Sequence, residues 1–167
     1  MTPIEIERKF LIEMPSKSVL EEHSAKSKNI IQTYLTPVGN ETARVRMITE
    51  GRSITYVKTV KRRISDLSHF EDESNISPQE YETELKNRDT SKTAIEKIRY
   101  CIDFSEHTLE IDVYPFWNDR AILEIELSSE DEKFEIPEYI TVIKEVTSDG
   151  RYKNTNLAKE IPLDIIK

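Results

Sequence analysis

Charge in this chain is concentrated in short strings: Glu5-Ile6-Glu7-Arg8-Lys9, Arg44-Val45-Arg46, Lys97-Ile98-Arg99, Glu110-Ile111-Asp112 and Glu124-Ile125-Glu126. Lys58 and the pair Glu82 and Glu84 extend the set. Within each string charged residues stand two apart, across an apolar residue everywhere but at Arg8, the spacing that puts them on one face of a β-strand. Gathered carboxylates favour a hard, oxygen-seeking cation such as Mg²⁺ or Mn²⁺. Gathered Arg and Lys favour phosphate oxygens, which the planar fork of Arg suits best. Both sets on one surface describe a site for a metal-bound polyphosphate. For any single strand, the same alternation also describes an ordinary sheet with its charged side in water. Its recurrence over seven segments argues instead for a shared interior.

The elements that would position these residues follow from the period of two. Alternation runs over 4–12, 30–36, 42–49, 53–61, 81–86, 97–104, 108–114 and 121–127, which predicts eight strands. Val38-Gly39-Asn40, Glu50-Gly51-Arg52, Ser105-Glu106-His107 and Trp117-Asn118-Asp119 are suitable hairpin links. Ser18 with Glu21 predicts a helix opening there and running to about Lys28, Asp89 or Thr90 a cap for a short one, and the tail two more, over 138–146 and 154–160. Ser77-Pro78-Gln79-Glu80 also makes a good helix start, so local chemistry competes with the strand predicted at 81–86. The polar stretch 64–77 reads as a surface loop. Eight mostly sequential strands predict an α+β fold, residues 1–167 forming one domain: an antiparallel barrel, closed so that it has no edge, with surrounding helices.

Such a barrel holds side chains or one small ligand. With Ile4, Ile6, Val45, Val57, Ile98, Ile111, Ile125 and Leu127 packed under helices, the lumen would carry six cations (Lys9, Arg44, Arg46, Lys58, Lys97, Arg99). It would also carry eight carboxylates (Glu5, Glu7, Glu82, Glu84, Glu110, Asp112, Glu124, Glu126). Burying so many charges is tolerable only if they pair or bind something charged.

Composition removes other classes. Twenty-four Lys and Arg against 32 Asp and Glu leave a net charge of −8, which argues against nucleic acid as a partner. Three scattered glycines build neither a dinucleotide fingerprint nor a P-loop. The single Cys101 offers no disulfide and no zinc cluster, and the three histidines have no metal-ligand spacing. No apolar run approaches the 18 or so residues of a membrane span, and the charged N-terminus resembles no secretory leader, so a cytoplasmic location is expected. Trp117 and Phe116 are expected to pack at a hairpin.

The order of these strings resembles the CYTH group, also called triphosphate tunnel metalloenzymes. Glu5-x-Glu7-x-Lys9 is similar to the group's opening motif, Arg44-x-Arg46 to its Arg strand, and Tyr56-Val57-Lys58 to its phosphate-binding Lys strand. Glu82-Thr83-Glu84, Lys97-x-Arg99, Glu110-x-Asp112 and Glu124-x-Glu126 follow in sequence, and Glu145 to Asn154 resembles its C-terminal segment. The chain departs from the pattern at Tyr56, where a small hydroxyl residue is commoner, after Lys58, where no Gly follows, and at Ser148, which replaces a Gly. The resemblance implies an eight-stranded tunnel binding a linear triphosphate with Mg²⁺ or Mn²⁺. It makes Lys9 and Glu7 catalytic, with Lys9, Arg44, Arg46, Lys58, Lys97, Arg99 and Arg151 on the substrate. Glu5, Glu7, Asp112, Glu124 and Glu126 would hold the metal. The expected activity is hydrolysis of inorganic tripolyphosphate; the alternatives are a class IV adenylyl cyclase, a thiamine triphosphatase, or a non-catalytic polyphosphate- or nucleotide-binding module. The expected partner is a small-molecule triphosphate, with a homodimer left open.

Overall fold

The computed structural model describes residues 4–24, 26–162 and 164. Strands β1 (Ile4–Glu13), β2 (Lys26–Tyr34), β3 (Glu41–Glu50), β4 (Ser53–Arg63), β5 (Ser68–Ile76), β6 (Ile95–Phe104), β7 (His107–Val113) and β8 (Arg120–Glu126) form one antiparallel sheet in the order β5-β4-β3-β2-β6-β7-β8-β1. Pairing of β1 with β5 closes it into a barrel. First and last strands are neighbours, and Glu7 faces Glu126 while Lys9 faces Glu124. A ninth strand, β9 (Val142–Glu145), pairs with the upper part of β1, beyond the reach of β5. Helices are few: α1 (Lys17–His23), α2 (Pro78–Leu85) and α3 (Asn154–Leu157). No described helix is long and apolar enough to cross a membrane.

The closed eight-stranded barrel is as expected, but one of its strands is not. Residues 81–85 are helical, because Ser77 Oγ accepts from the Glu80 N–H while the Glu80 carboxylate accepts from the Ser77 N–H, and Pro78 sits in the first turn. The barrel's fifth strand comes instead from the polar stretch read as a loop. Its outer side, Ser68, Phe70, Asp72, Ser74 and Ile76, is polar at three of five positions and lacks the apolar alternation that would have marked it. The helix expected over 138–146 is β9, and the one over 154–160 shrinks to α3. Ser16, not Ser18, caps α1, which ends at His23; by Lys26 the chain has entered β2. After Asp89 there is a turn rather than a helix: the carboxylate accepts from the Ser91 N–H and hydroxyl. Gly39 and Gly51 take positive φ in their hairpins, +62° and +60°.

The apolar core lies outside the barrel wall. Phe10, Ile12, Ile111, Leu123 and Ile125 are covered by the segment that follows β8, through Phe134, Ile136 and Ile140. On the far wall Tyr81 of α2 packs on Leu35 and Val45. A third cluster, with Leu11, Tyr114, Trp117, Ile122 and Tyr152, fills part of one end of the barrel. Trp117 is packing, as expected.

Candidate functional site

With apolar residues outside, the other parity of each strand faces inward, around a cavity of about 640 Å³. Glu5, Glu7 and Lys9 of β1 enter it, with Arg44 and Arg46 of β3, Arg99 of β6, Glu110 of β7, and Glu124 and Glu126 of β8. The charged face inferred from sequence is thus an interior on these strands.

Four predicted residues do not reach it. Lys58 is opposite Val45 on the outer face of β4, and its ammonium bonds Glu84 of α2 at 2.7 Å. The inward parity of β4 is Thr59, Lys61 and Arg63, so the inferred register there is wrong by one residue. Arg151 is exposed and bonds Asp149 and Asp164, outside the cavity. Asp112 and Lys97 share the inward parity but are fully buried against Arg99, 2.8 Å apart, and do not line the cavity. Asp112 also takes two hydrogen bonds from Arg99, at 2.7 and 2.9 Å. Its carboxylate is therefore spent on cations: against its burial, Arg99 and Lys97 hold it far below the usual range. That geometry suits orienting Arg99 rather than ligating a metal. Glu82 and Glu84, on α2, also leave the lumen, and Glu71 and Glu73 of β5 take their place.

Several cavity residues escaped the sequence reading: Lys61, opposite Glu71; Lys28; and His69. Lys153, which the sequence left open between a tunnel end and solvent, lines the cavity. The Glu71-Asp72-Glu73 run was the available signal for β5, with its charges two apart.

The interior is divided by charge. One wall, β2 and β3, presents Arg44 and Arg46, both buried. Gln32, wholly buried, holds Arg46 through its Oε1 at 3.1 Å and donates to the Tyr34 hydroxyl at 3.0 Å. Arg44 Nε is buried with no hydrogen-bond partner, and among the described residues no carboxylate pairs with either arginine. Burial and the neighbouring Arg44 and Arg99 charges pull Arg46 down to about 10.

The opposite wall, β1 and β8, is acidic. Glu124 is paired: despite burial, which pushes it up, Lys9 at 3.4 Å and Arg99 at 3.4 Å hold it down at about 2. Glu5 is bonded by Lys61 at 2.8 Å, yet burial and Glu71 still raise its pKa. Glu7 is less compensated. Burial and the nearby Glu124 push it up to about 7. Burial and Glu5 raise Glu126, which stands directly across from Glu7. Like charges facing each other across a strand pair destabilise it unless a cation intervenes.

Among the described residues no three acidic, imidazole or thiol side chains converge into a ready-made metal cage. Mg²⁺ does not require one, because it takes one or two carboxylates and completes its octahedron with water and phosphate oxygens. Glu7 and Glu126, flanked by Glu5 and Glu124, fit that demand by chemistry and by excess negative charge. The wall therefore suits a divalent cation shared with an anionic ligand, and the arginine wall suits the ligand's oxygens.

Comparison with known proteins agrees with this architecture. The family model described as the CYTH domain matches residues 3–149. An inorganic triphosphatase of Acetivibrio thermocellus is 33% identical over 156 residues, covering 93% of each chain. The crystal structure of the inorganic triphosphatase NE1496 superposes with a TM-score of 0.57 at 28% identity, covering 97% of this chain and 98% of that one. A Hippeastrum protein described as a putative adenylyl cyclase with a dominant triphosphatase activity shares the fold, with a TM-score of 0.53 at 17% identity over 74% of this chain and 80% of that one. The charged strands, the closed barrel and these matches converge: the chain belongs to the CYTH domain family.

Proposed function

We propose that this protein is a divalent-metal-dependent triphosphatase whose substrate is inorganic tripolyphosphate. The observation that carries this reading is the division of the cavity: unpaired arginines on one wall and under-compensated carboxylates on the other, together calling for an anion and a cation at once. A phosphate sensor would use the arginines but would be repelled by the acidic wall. The inorganic substrate is favoured because Trp117 and Phe116 belong to the packed end cluster and offer no ring for a base. The names carried by the Acetivibrio and NE1496 relatives support the same activity.

In this reading Arg44 and Arg46 bind terminal phosphate oxygens through charge-assisted hydrogen bonds. Arg99, oriented by Asp112, reaches from the floor towards Glu124. Lys9 Nζ, 3.4 Å from Glu124 and from the Tyr152 carbonyl, neutralises an oxygen of the phosphoryl group under attack. Glu5, Glu7, Glu124 and Glu126 would hold Mg²⁺ or Mn²⁺, which when bound polarises phosphoryl oxygens and offsets their charge. Glu7 accepts the proton of the attacking water as general base. Water oxygen bonds to phosphorus, the bridging P–O bond breaks, and the products are phosphate and pyrophosphate. Such catalysis is chiefly electrostatic and positional. The single Cys101 is consistent with work in a reducing cytoplasm.

The test is a substrate panel with Mg²⁺ and Mn²⁺ assayed separately. Phosphate should leave tripolyphosphate faster than it leaves ATP or thiamine triphosphate. Cyclic AMP and pyrophosphate from ATP as the dominant products would assign the cyclase activity instead, and tight binding without turnover in either metal would leave only a sensor.

A further inference from the structure

One uncharged donor in the basic wall lies outside the set just assigned. Tyr34 shares the inward parity of β2 with Gln32, and the two are the direct cross-strand partners of Arg44 and Arg46. The Tyr34 ring is anchored in the apolar cluster at one end of the barrel, with the Lys92 ammonium 5.0 Å from its centroid. The same residue lines the cavity. Its oxygen stands near enough to Lys9, Arg44 and Arg46 to favour the charged form of each, which puts it among the cations assigned to phosphate.

The neighbours of that hydroxyl decide where its proton points. A guanidinium donates and never accepts, so Oε1 is the atom of Gln32 that accepts from Arg46 Nε, at 3.1 Å. The other end of the amide, Nε2, can only donate, and it donates to the Tyr34 oxygen at 3.0 Å. Tyr34 is therefore the acceptor in this chain of bonds, and its own O–H is unspent. The lysine and arginines around it have no lone pair to offer that proton. An anionic oxygen in the cavity does. We propose that the Tyr34 hydroxyl donates a hydrogen bond to a phosphoryl oxygen of the substrate, and that Gln32 is the positioning residue that sets this polarity while leaving Arg46 charged and unpaired. A carboxylate at position 32 would instead take the Tyr34 proton and neutralise Arg46. The inference rests on the triphosphate reading of the cavity.

Calorimetric titration with imido-bridged, non-hydrolysable tripolyphosphate in Mg²⁺ tests it. Tyr34→Phe removes only the hydroxyl and should weaken binding about tenfold or more, the scale of one hydrogen bond to a charged group. Because that change also strands Gln32 Nε2, it is repeated in a Gln32→Met background, which has no amide to strand. Gln32→Met should weaken binding by itself, through Arg46, and adding Tyr34→Phe should cost a further factor of about ten. Gln32→Glu should bind more weakly than Gln32→Met. Unchanged affinity in Tyr34→Phe overturns the contact. So does a loss seen only where Gln32 is present, because Tyr34 would then act solely by holding Gln32 and Arg46. Unsubstituted affinity in Gln32→Glu overturns the role given to Gln32. Failure of the unsubstituted protein to bind the analogue overturns the triphosphate reading itself, and the contact with it.

Discussion

The arginine wall and the carboxylate wall face each other across one cavity, and each is held in place differently. Glu5, Glu7, Glu124 and Glu126 stand on β1 and β8, the strands backed by the largest apolar cluster, with Phe10, Ile12, Leu123 and Ile125 beneath a long covering segment. Arg44 and Arg46 stand on β3, backed by a small cluster around Val45 and Tyr81, and depend for orientation on polar neighbours such as Gln32. Each wall has one member drawn towards neutrality, Glu7 up to about 7 and Arg46 down to about 10, while Glu124 and Arg44 are held charged against their burial by opposite charges and, for Arg44, by Tyr34. The contrast teaches that neither wall is at ease alone. The acidic side is the more strained and has the stronger scaffold.

The contrast is broken most sharply by Glu124→Gln, which keeps the shape but removes the charge that Lys9 and Arg99 share with the cation. Metal-dependent turnover should fall by roughly 10²–10³, the scale of losing one preorganised electrostatic group, with the fold intact by circular dichroism. A variant with ordinary turnover would detach the acidic wall from catalysis.

A pH series on the metal-free protein reads the strain directly. Glu7 has a raised folded-state pKa, so between about 4.5 and 7 the folded state binds more protons than the unfolded one. By linkage, the carboxylate contribution to stability falls as pH rises through that window, by up to ~3 kcal/mol from Glu7, with Glu5, Glu110 and Glu126 acting in the same direction, while His69, pushed down to about 4 by burial and Lys61, acts in the opposite one between about 4 and 6.5. Denaturant midpoints at pH 5 and 7.5 of a His69→Leu variant, which lacks the opposing group, measure it, and Mg²⁺ should recover stability at the higher pH only. A midpoint that rises steadily across this range would mean that the carboxylates are already compensated.

On the basic wall, Arg44→Ala or Arg46→Ala should each weaken tripolyphosphate binding by roughly 1.5–3 kcal/mol, about 10- to 100-fold in Kd, since each loses charge-assisted bonds. Calorimetry with the non-hydrolysable analogue tests this without turnover. Normal affinity in both variants would place the phosphate elsewhere.

The smallest effect belongs outside the barrel. Lys58→Met should leave turnover unchanged and cost less than about 1 kcal/mol, because its ion pair with Glu84 is partly solvated. Lys61→Met, three residues on and facing inward, should impair turnover. Reversed outcomes would restore the register read from the sequence alone.

Lys58 also shows where the sequence was legible. On β1, β3 and β8 apolar and charged residues alternate cleanly, so parity alone separated core from cavity. On β4 the run Tyr56-Val57-Lys58-Thr59-Val60-Lys61 carries a lysine on each parity and an apolar residue on each, and only cross-strand register with β3 decides. The fifth strand was hidden for a different reason: its outer parity, Ser68, Phe70, Asp72, Ser74 and Ile76, has polar residues at three of five positions, so no apolar alternation marked it. At Ser77–Glu80 the local rule was right and the alternation wrong, because a capping box satisfies helix-end N–H groups that a strand would leave to neighbours. Asp112 and Lys97 lie on the correct face, yet only three-dimensional geometry reveals that they sit behind Arg99, occupied with each other.

The most direct test is phosphate release from tripolyphosphate, followed in Mg²⁺, then in excess EDTA, then after Mg²⁺ is restored. A cavity that must neutralise both of its walls predicts activity that disappears with the chelator and returns with the metal. Full activity in excess EDTA would contradict it, because Glu7 and Glu126 would then have no cation to serve.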